Sequence, residues 1–289
     1  MHYGSFREVC QICNAPVCGI FIRRPPPRCE ASGPTLVDGS VVFTNPGDFV
    51  VSLVCLVVVT YLCCRVKGRL TGVGRKEFSY LYLLYACVLV AQILTVGWTF
   101  PNISPWIACI YVALVAATFW CLLYNGFTGY QLIPDGGWIS LTILLATAAV
   151  LFGTALYVAL DTRLGLTPAL IPLDGIGGLD SPAIFTLYVT LPLVSIGTYL
   201  ALQTFLVVRF LAIRRPLFYL YGAVLVFAVG QVFLYAGSVP LCESSNGSTD
   251  GLLLATLLTT ISLCLLYIYW VTLTAADDPE VYEADAVKS

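Results

Sequence analysis

Charge is what this sequence of 289 residues has least of. Only 10% of the residues are Asp, Glu, Lys or Arg, against roughly 25% in an average soluble domain. With 59% hydrophobic residues and a mean hydropathy of +0.90, the chain lacks the polar surface to cover a water-soluble fold of its size. Histidine is just as scarce. The one histidine is His2, so histidine-based acid–base chemistry and metal ligation have no material. A net charge of −2 provides no basic field for nucleic acid. The first thirty residues carry Arg7, Glu8, Arg23, Arg24, Arg28 and the run Pro25-Pro26-Pro27. No apolar core leads there to a small-residue cleavage site, so the first span is expected to act as its own insertion signal.

What the chain has is long apolar runs. A spanning helix needs about 20 mostly apolar residues, at ~1.5 Å each across a hydrocarbon core of ~30 Å. Seven stretches qualify, at about 46–64, 79–100, 105–124, 138–160, 182–208, 216–238 and 251–274. Three open on an N-cap residue followed by proline: Asn45-Pro46, Ser104-Pro105 and Ser181-Pro182. There the side-chain oxygen caps the first turn and the missing N–H costs nothing. Pro192 predicts a kink in the fifth. Asp48 falls in the first turn of the first, where a carboxylate suits the helix N-terminus and is expected at the interface.

The short loops orient these spans. Arg65, Lys67, Arg69, Arg75, Lys76, Arg209, Arg214 and Arg215 fall on one side, against Arg163 alone in the opposite loops. The expected fold class is therefore an all-α membrane protein, a seven-transmembrane helix bundle with its N-terminus luminal and its C-terminus cytosolic. Residues 1–44 form a luminal Cys/Pro-rich tail, 45–274 the membrane domain and 275–289 an acidic cytosolic tail. Trp98, Trp106, Trp138 and Trp270 sit near span ends, as interfacial aromatics do.

Seven of the twelve cysteines lie in spans or at their ends. The other five, Cys10, Cys13, Cys18, Cys29 and Cys242, all fall on the side expected to be oxidising. That distribution points to structural disulfides, with Cys10, Cys18, Cys29 and Cys242 as candidates and the connectivity open. A zinc reading of Cys10-x-x-Cys13 lacks a second pair of ligands. The acceptor triplets Asn102-Ile-Ser104 and Asn246-Gly-Ser248 lie on the same side, Asn246 being the candidate for glycosylation.

Ionisable residues are nearly absent from the middle of every span, whereas transport paths usually carry them. The notable polar side chains are Gln92, Gln203, Gln231 and, at a span end, Asn125. Two readings stand for them, helix–helix hydrogen bonding within the bundle and contact with a membrane partner. The glycine-rich pieces Gly72-Val-Gly74 and Gly175-Ile-Gly-Gly178 lack the strand and helix context of a phosphate-binding loop. No segment outside the spans is long enough for a catalytic domain. The expectation is a protein without enzymatic activity, cofactor or metal.

Several motifs recur together in order: Gly72-Val-Gly-Arg-Lys-Glu77, Asn125-Gly-Phe-Thr-Gly-Tyr-Gln131 with Asp135-Gly136, Ala228-Val-Gly-Gln-Val-Phe-Leu-Tyr235, Cys242, Asp250-Gly251, and a tail with Cys10, Cys18 and Pro-Arg-Cys29. In this set the chain resembles the fungal chitin synthase export chaperone family over nearly its whole length. Cys13 is additional to that pattern. The resemblance implies a multipass endoplasmic reticulum protein that helps a polytopic chitin synthase fold and leave that compartment, with no glycosyl transfer of its own. The Gln-x-x-Arg-Trp run of processive synthases is missing. Gln92, Gln203, Gln231, Arg75, Glu77 and Asn125 become candidates for client contact, lateral helix pairing being the mechanism. Asp278-Pro-Glu280 has the acidic-x-acidic form of a signal for an export coat. The main alternative from another class is a heptahelical membrane receptor. Against it, the third span ends Leu-Leu-Tyr124-Asn125 and the seventh has no Asn-Pro pair. A membrane-embedded enzyme ranks third.

Overall fold

The computed structural model describes residues 3–23, 25–26, 28, 42–43, 45–69, 74–99, 103–130, 137–168, 170–211, 215–245, 247 and 249–274. Seven of its helices are long and apolar enough to cross a membrane: Pro46–Gly68, Arg75–Val96, Ser104–Thr128, Trp138–Leu164, Pro182–Phe210, Arg215–Tyr235 and Gly251–Thr274. They are numbered here as spans one to seven. Several run past their apolar cores into charged flanks, because Arg and Lys are good helix formers and hydropathy does not register a helix that continues into the interface. Span one thus carries Arg65 and Lys67 in its last turn, and span two begins at Arg75 after Gly74 at φ +70°. Span six stops at Tyr235, and a short helix, Ser238–Ser244, precedes span seven.

Two of the three sequence signals for helix starts have their physical counterparts; at the third, Ser104 is itself the first helical residue, Ile103 takes the cap position and no side chain caps the turn. Asn45 Oδ1 accepts from the Asp48 backbone N–H at 3.3 Å, and Ser181 Oγ from that of Ile184 at 3.4 Å. Proline follows the cap in both. In span five a wider π-helical turn, Thr186–Thr190, runs up to Pro192. It absorbs the register shift that the missing N–H and the ring demand.

Span three forms the centre of the bundle. Its Ala108, Cys109, Val112, Ala113, Ala116 and Ala117 are all buried, and Ala113 and Ala116 pack directly on Ala155 of span four. Small residues at helical spacing let backbones approach closely, the main source of association between helices in lipid. Spans six and seven run side by side in the same way. A Cβ at Gly230 would lie 3.2 Å from Leu258 Cβ. Val50, Val57, Val150, Leu193, Phe218 and Leu225 point outward and are well exposed, the surface a hydrocarbon solvent requires.

One end of the bundle is covered by the N-tail and is called the tail end below. The helix Arg7–Ile12 and the 3₁₀ turn Pro16–Gly19 are joined by the Cys10–Cys18 disulfide, with Cα atoms 5.7 Å apart. Phe6, Val9, Val17, Ile20 and Phe21 are buried beneath them. The tail is fastened to the segment between spans four and five. Phe6 N–H donates to Leu179 O and Ile22 N–H to Gly177 O, each at 2.9 Å, and the Arg163 guanidinium donates to Ile20 O at 3.1 Å. A two-residue antiparallel ladder, Val42↔Thr99 and Phe43↔Trp98, joins the approach to span one to the exit of span two.

Candidate functional site

The polar side chains of the spans gather into three nodes. At the tail end, Gln92 of span two is buried and its Nε2 faces three acceptors: Thr256 Oγ1 at 2.7 Å, Ser52 Oγ at 3.3 Å and Asp48 Oδ1 at 3.3 Å. One amide thereby links spans one, two and seven. Asp48 is not at the interface as its first-turn position suggests. It is 0% exposed, turned inward toward Gln92, because the face of span one that carries it is the face that packs against spans two and seven. Asp250, just before span seven, is buried nearby, and its Oδ1 accepts from Leu252 N–H at 3.0 Å. Loss of solvent pushes its carboxyl pKa above the usual carboxylate range, partly offset by hydrogen bonds from the Leu252, Leu253 and Asn14 backbones and the Asn45 side chain.

At the opposite end, Glu77 is also 0% exposed, and its Oε1 accepts from Ser140 Oγ of span four at 2.8 Å. Asn125 Nδ2 donates to Cys121 O at 2.8 Å and to Glu77 O at 3.4 Å. Gln203 forms the third node. Its Nε2 donates to Gly126 O at 3.3 Å and its Oε1 accepts from Tyr269 Oη at 2.8 Å, tying spans three, five and seven. Arg75 is half-buried and donates to the Arg69 carbonyl, bridging the ends of the first loop. Gln92, Gln203, Asn125 and Glu77 are thus inside the bundle with their groups turned to neighbouring spans. Gln231 is half-buried and, among the described residues, its amide has no hydrogen-bond partner.

Two cavities lie between the nodes. The one nearer the tail end, about 190 Å³, is walled by spans two, three, five, six and seven, with Tyr85, Tyr111, Tyr188, Gln231 and Tyr235 among its lining. The other, about 370 Å³, is lined by Phe78, Asn125, Tyr130, Gln203, Tyr269 and Trp270 among others. The Tyr199 ring is a wall of both. Tyr199 Oη and Ser195 Oγ are buried without partners among the described residues. Sequence reasoning passed over this pair, although Ser195, Tyr199 and Gln203 recur every four residues and so share one face of span five. Trp270, expected at an interface, is buried and stacked on Phe78, with ring centroids 5.6 Å apart.

Of the disulfide candidates, Cys10 and Cys18 are paired with each other, and Cys242 is disulfide-bonded as well. Cys13, the additional cysteine, is a buried free thiol whose Sγ donates to Val9 O at 3.3 Å. Desolvation pushes its pKa up to about 12. Cys29, Asn246, Asp278 and Glu280 lie outside the described residues.

A family model described as chitin synthase export chaperone matches residues 2–282. Curated relatives with that name include one from Aspergillus fumigatus, 28% identical over 96% of this chain and 84% of its own length. Another, from Chaetomium globosum, is 29% identical over the same shares. A third, from Cryptococcus neoformans, is 29% identical over 95% of this chain and 75% of its own. No solved structure matches the chain. With the match running from the N-tail through all seven spans, the chain belongs to the chitin synthase export chaperone family.

Proposed function

We propose that the protein is a chaperone of the endoplasmic reticulum membrane that assists a polytopic chitin synthase to fold and leave for the cell surface, supporting chitin synthesis in the cell wall. The observation that carries this reading is the family match over residues 2–282. The bundle suits the task physically. A multispan client exposes apolar and small-residue faces before its own helices assemble, and a preformed bundle covers them by close packing and interhelical hydrogen bonds worth ~0.6–2 kcal/mol each. On this reading the protein takes no part in glycosyl transfer, its N-tail faces the lumen, and Asp278 and Glu280 engage an export coat from the cytosol.

Burial of Gln92, Gln203, Asn125 and Glu77 supports an interior role for these four, holding the bundle in shape. Client contact falls instead to the lipid-facing surfaces, where Val150, Leu193, Phe218 and Leu225 are exposed, and to Arg75 at the loop. No observation favours the receptor alternative. The test is to delete the gene in its native cell and image a fluorescently tagged chitin synthase. Retention of the synthase in the reticulum with lowered wall chitin is the expected result. Normal arrival of every synthase at the surface would sink the reading.

A further inference from the structure

The cavity nearer the tail end has three properties that together specify a ligand. First, no charged side chain occurs among its described lining residues. An anionic or cationic headgroup would enter an apolar space with nothing to neutralise it, at a cost of many kcal/mol. Second, it contains one half-buried amide, that of Gln231, without a partner among the described residues. An amide donates and accepts at once, which is what a hydroxyl requires. In a hydrocarbon environment an unpaired amide is costly, so a partner from the bilayer is favoured there. Third, the cavity has a side entrance. Span six lies along span seven and packs far less on span five, which it meets near the opposite end where Thr204 Oγ1 and Tyr221 Oη are 3.2 Å apart. Next to the lining residues of these two spans, Leu193, Val194, Leu225 and Val232 are exposed and face lipid.

Depth narrows the ligand further. Gln231 lies four residues from the end of span six at Tyr235, or ~6 Å along the axis, the level at which a lipid hydroxyl sits below the interface. From Gln231 to Leu220, the lining residue of span six farthest from the tail end, is ~16 Å, close to the depth of one leaflet at about half of ~30 Å. Above Gln231 the cavity is roofed by Tyr188 and Tyr235, with Phe6 of the N-tail packed on Tyr188 at 6.4 Å.

We propose that this cavity binds one uncharged lipid of the tail-side leaflet whose only hydrogen-bond donor is a hydroxyl. The hydroxyl is hydrogen-bonded by Gln231, and the cavity, at about 190 Å³, takes only part of the apolar body, the remainder extending into the bilayer past Leu225 and Val232. Sterols and diacylglycerols share this chemistry. The site is independent of the client reading, since it needs no synthase.

The test uses the full chain in phosphatidylcholine vesicles containing a photoactivatable, clickable sterol and, in a parallel arm, a photoactivatable diacylglycerol. Saturable labelling of peptides from spans five and six is expected in one or both arms. The unlabelled form of the same lipid should compete, and extra phosphatidylcholine should not. Gln231→Leu should lower labelling several-fold at unchanged thermal stability. Ala223→Phe, which fills the slot from span six, should abolish it, and if that variant fails to fold, Gln231→Leu alone carries the comparison. The arm that labels identifies which lipid supplies the hydroxyl. Labelling that does not saturate, spreads over outward residues such as Val150 and Phe218, and ignores Gln231→Leu would overturn the proposal. So would competition by phosphatidylcholine.

Discussion

Replacing Gln92 with leucine separates the two roles open to a glutamine within a span. Gln92 Nε2 carries two protons and faces three acceptors on spans one and seven, so two hydrogen bonds are made at a time. Interhelical hydrogen bonds in membrane bundles average ~0.6 kcal/mol and reach ~1.7, which gives about 1–3 kcal/mol for the pair. Asp48, enclosed and deprived of its amide donor, adds a further ~1–3 kcal/mol. Gln92→Leu should therefore destabilise the bundle by about 2–6 kcal/mol. The assay is equilibrium unfolding of the purified chain in mixed micelles with a rising fraction of denaturing detergent. Gln231→Leu is the control, with a change under about 0.5 kcal/mol, since its amide has no partner among the described residues. If Gln92→Leu matched the wild type in stability while the synthase stayed in the reticulum, the amide would be acting on the client and the interior assignment would be wrong.

Four other outcomes follow. A Cβ at Gly251 would sit 2.2 Å from the Phe233 carbonyl oxygen, so Gly251→Ala should cost about 1–3 kcal/mol and lower the melting temperature. Gly153 has nothing within 4 Å of such a Cβ, and Gly153→Ala should stabilise span four by ~0.5–1 kcal/mol through helix propensity. Cys10→Ser, opening a disulfide with a sequence separation of 8, should weaken docking of the N-tail by about 2–3 kcal/mol. Limited proteolysis would then cut residues 3–22 sooner while leaving the spans intact. Because burial raises the Cys13 pKa to about 12, the thiol stays protonated throughout the ordinary range. Alkylation of Cys13 in the folded chain should remain negligible from pH 7 to about 9 and become rapid only on unfolding, as read by mass spectrometry.

The spans were readable because each is a long apolar run with few charges, and because Asn45-Pro46 and Ser181-Pro182 announce helix starts through chemistry local to a few residues. The direction in which a side chain points is a different matter. Gln92 and Gln231 look alike in a hydropathy profile and both line the cavity nearer the tail end, yet one amide is bonded to neighbouring spans and the other has no partner among the described residues. Only the azimuth of each helix decides that, and it is set by packing between spans far apart in the chain. Asp48 and Trp270 misled for the same reason: position near a span end describes depth and not facing. The pairing of Cys10 with Cys18 was open among several connectivities until the N-tail backbone was placed.

The way the N-tail is fastened has a consequence for the order of assembly. Every one of its anchoring bonds described here reaches residues made at least 140 positions later: Phe6 to Leu179, Ile22 to Gly177, and Arg163 to Ile20. These anchors therefore close only long after the tail residues themselves have left the ribosome. The turn Pro16–Gly19 can rest on span three as soon as that span is made, but until the polypeptide beyond Tyr188 has emerged Phe6 lacks the rings of Phe185 and Tyr188 that it packs against. A closed tail is in effect a receipt for a bundle that is already complete.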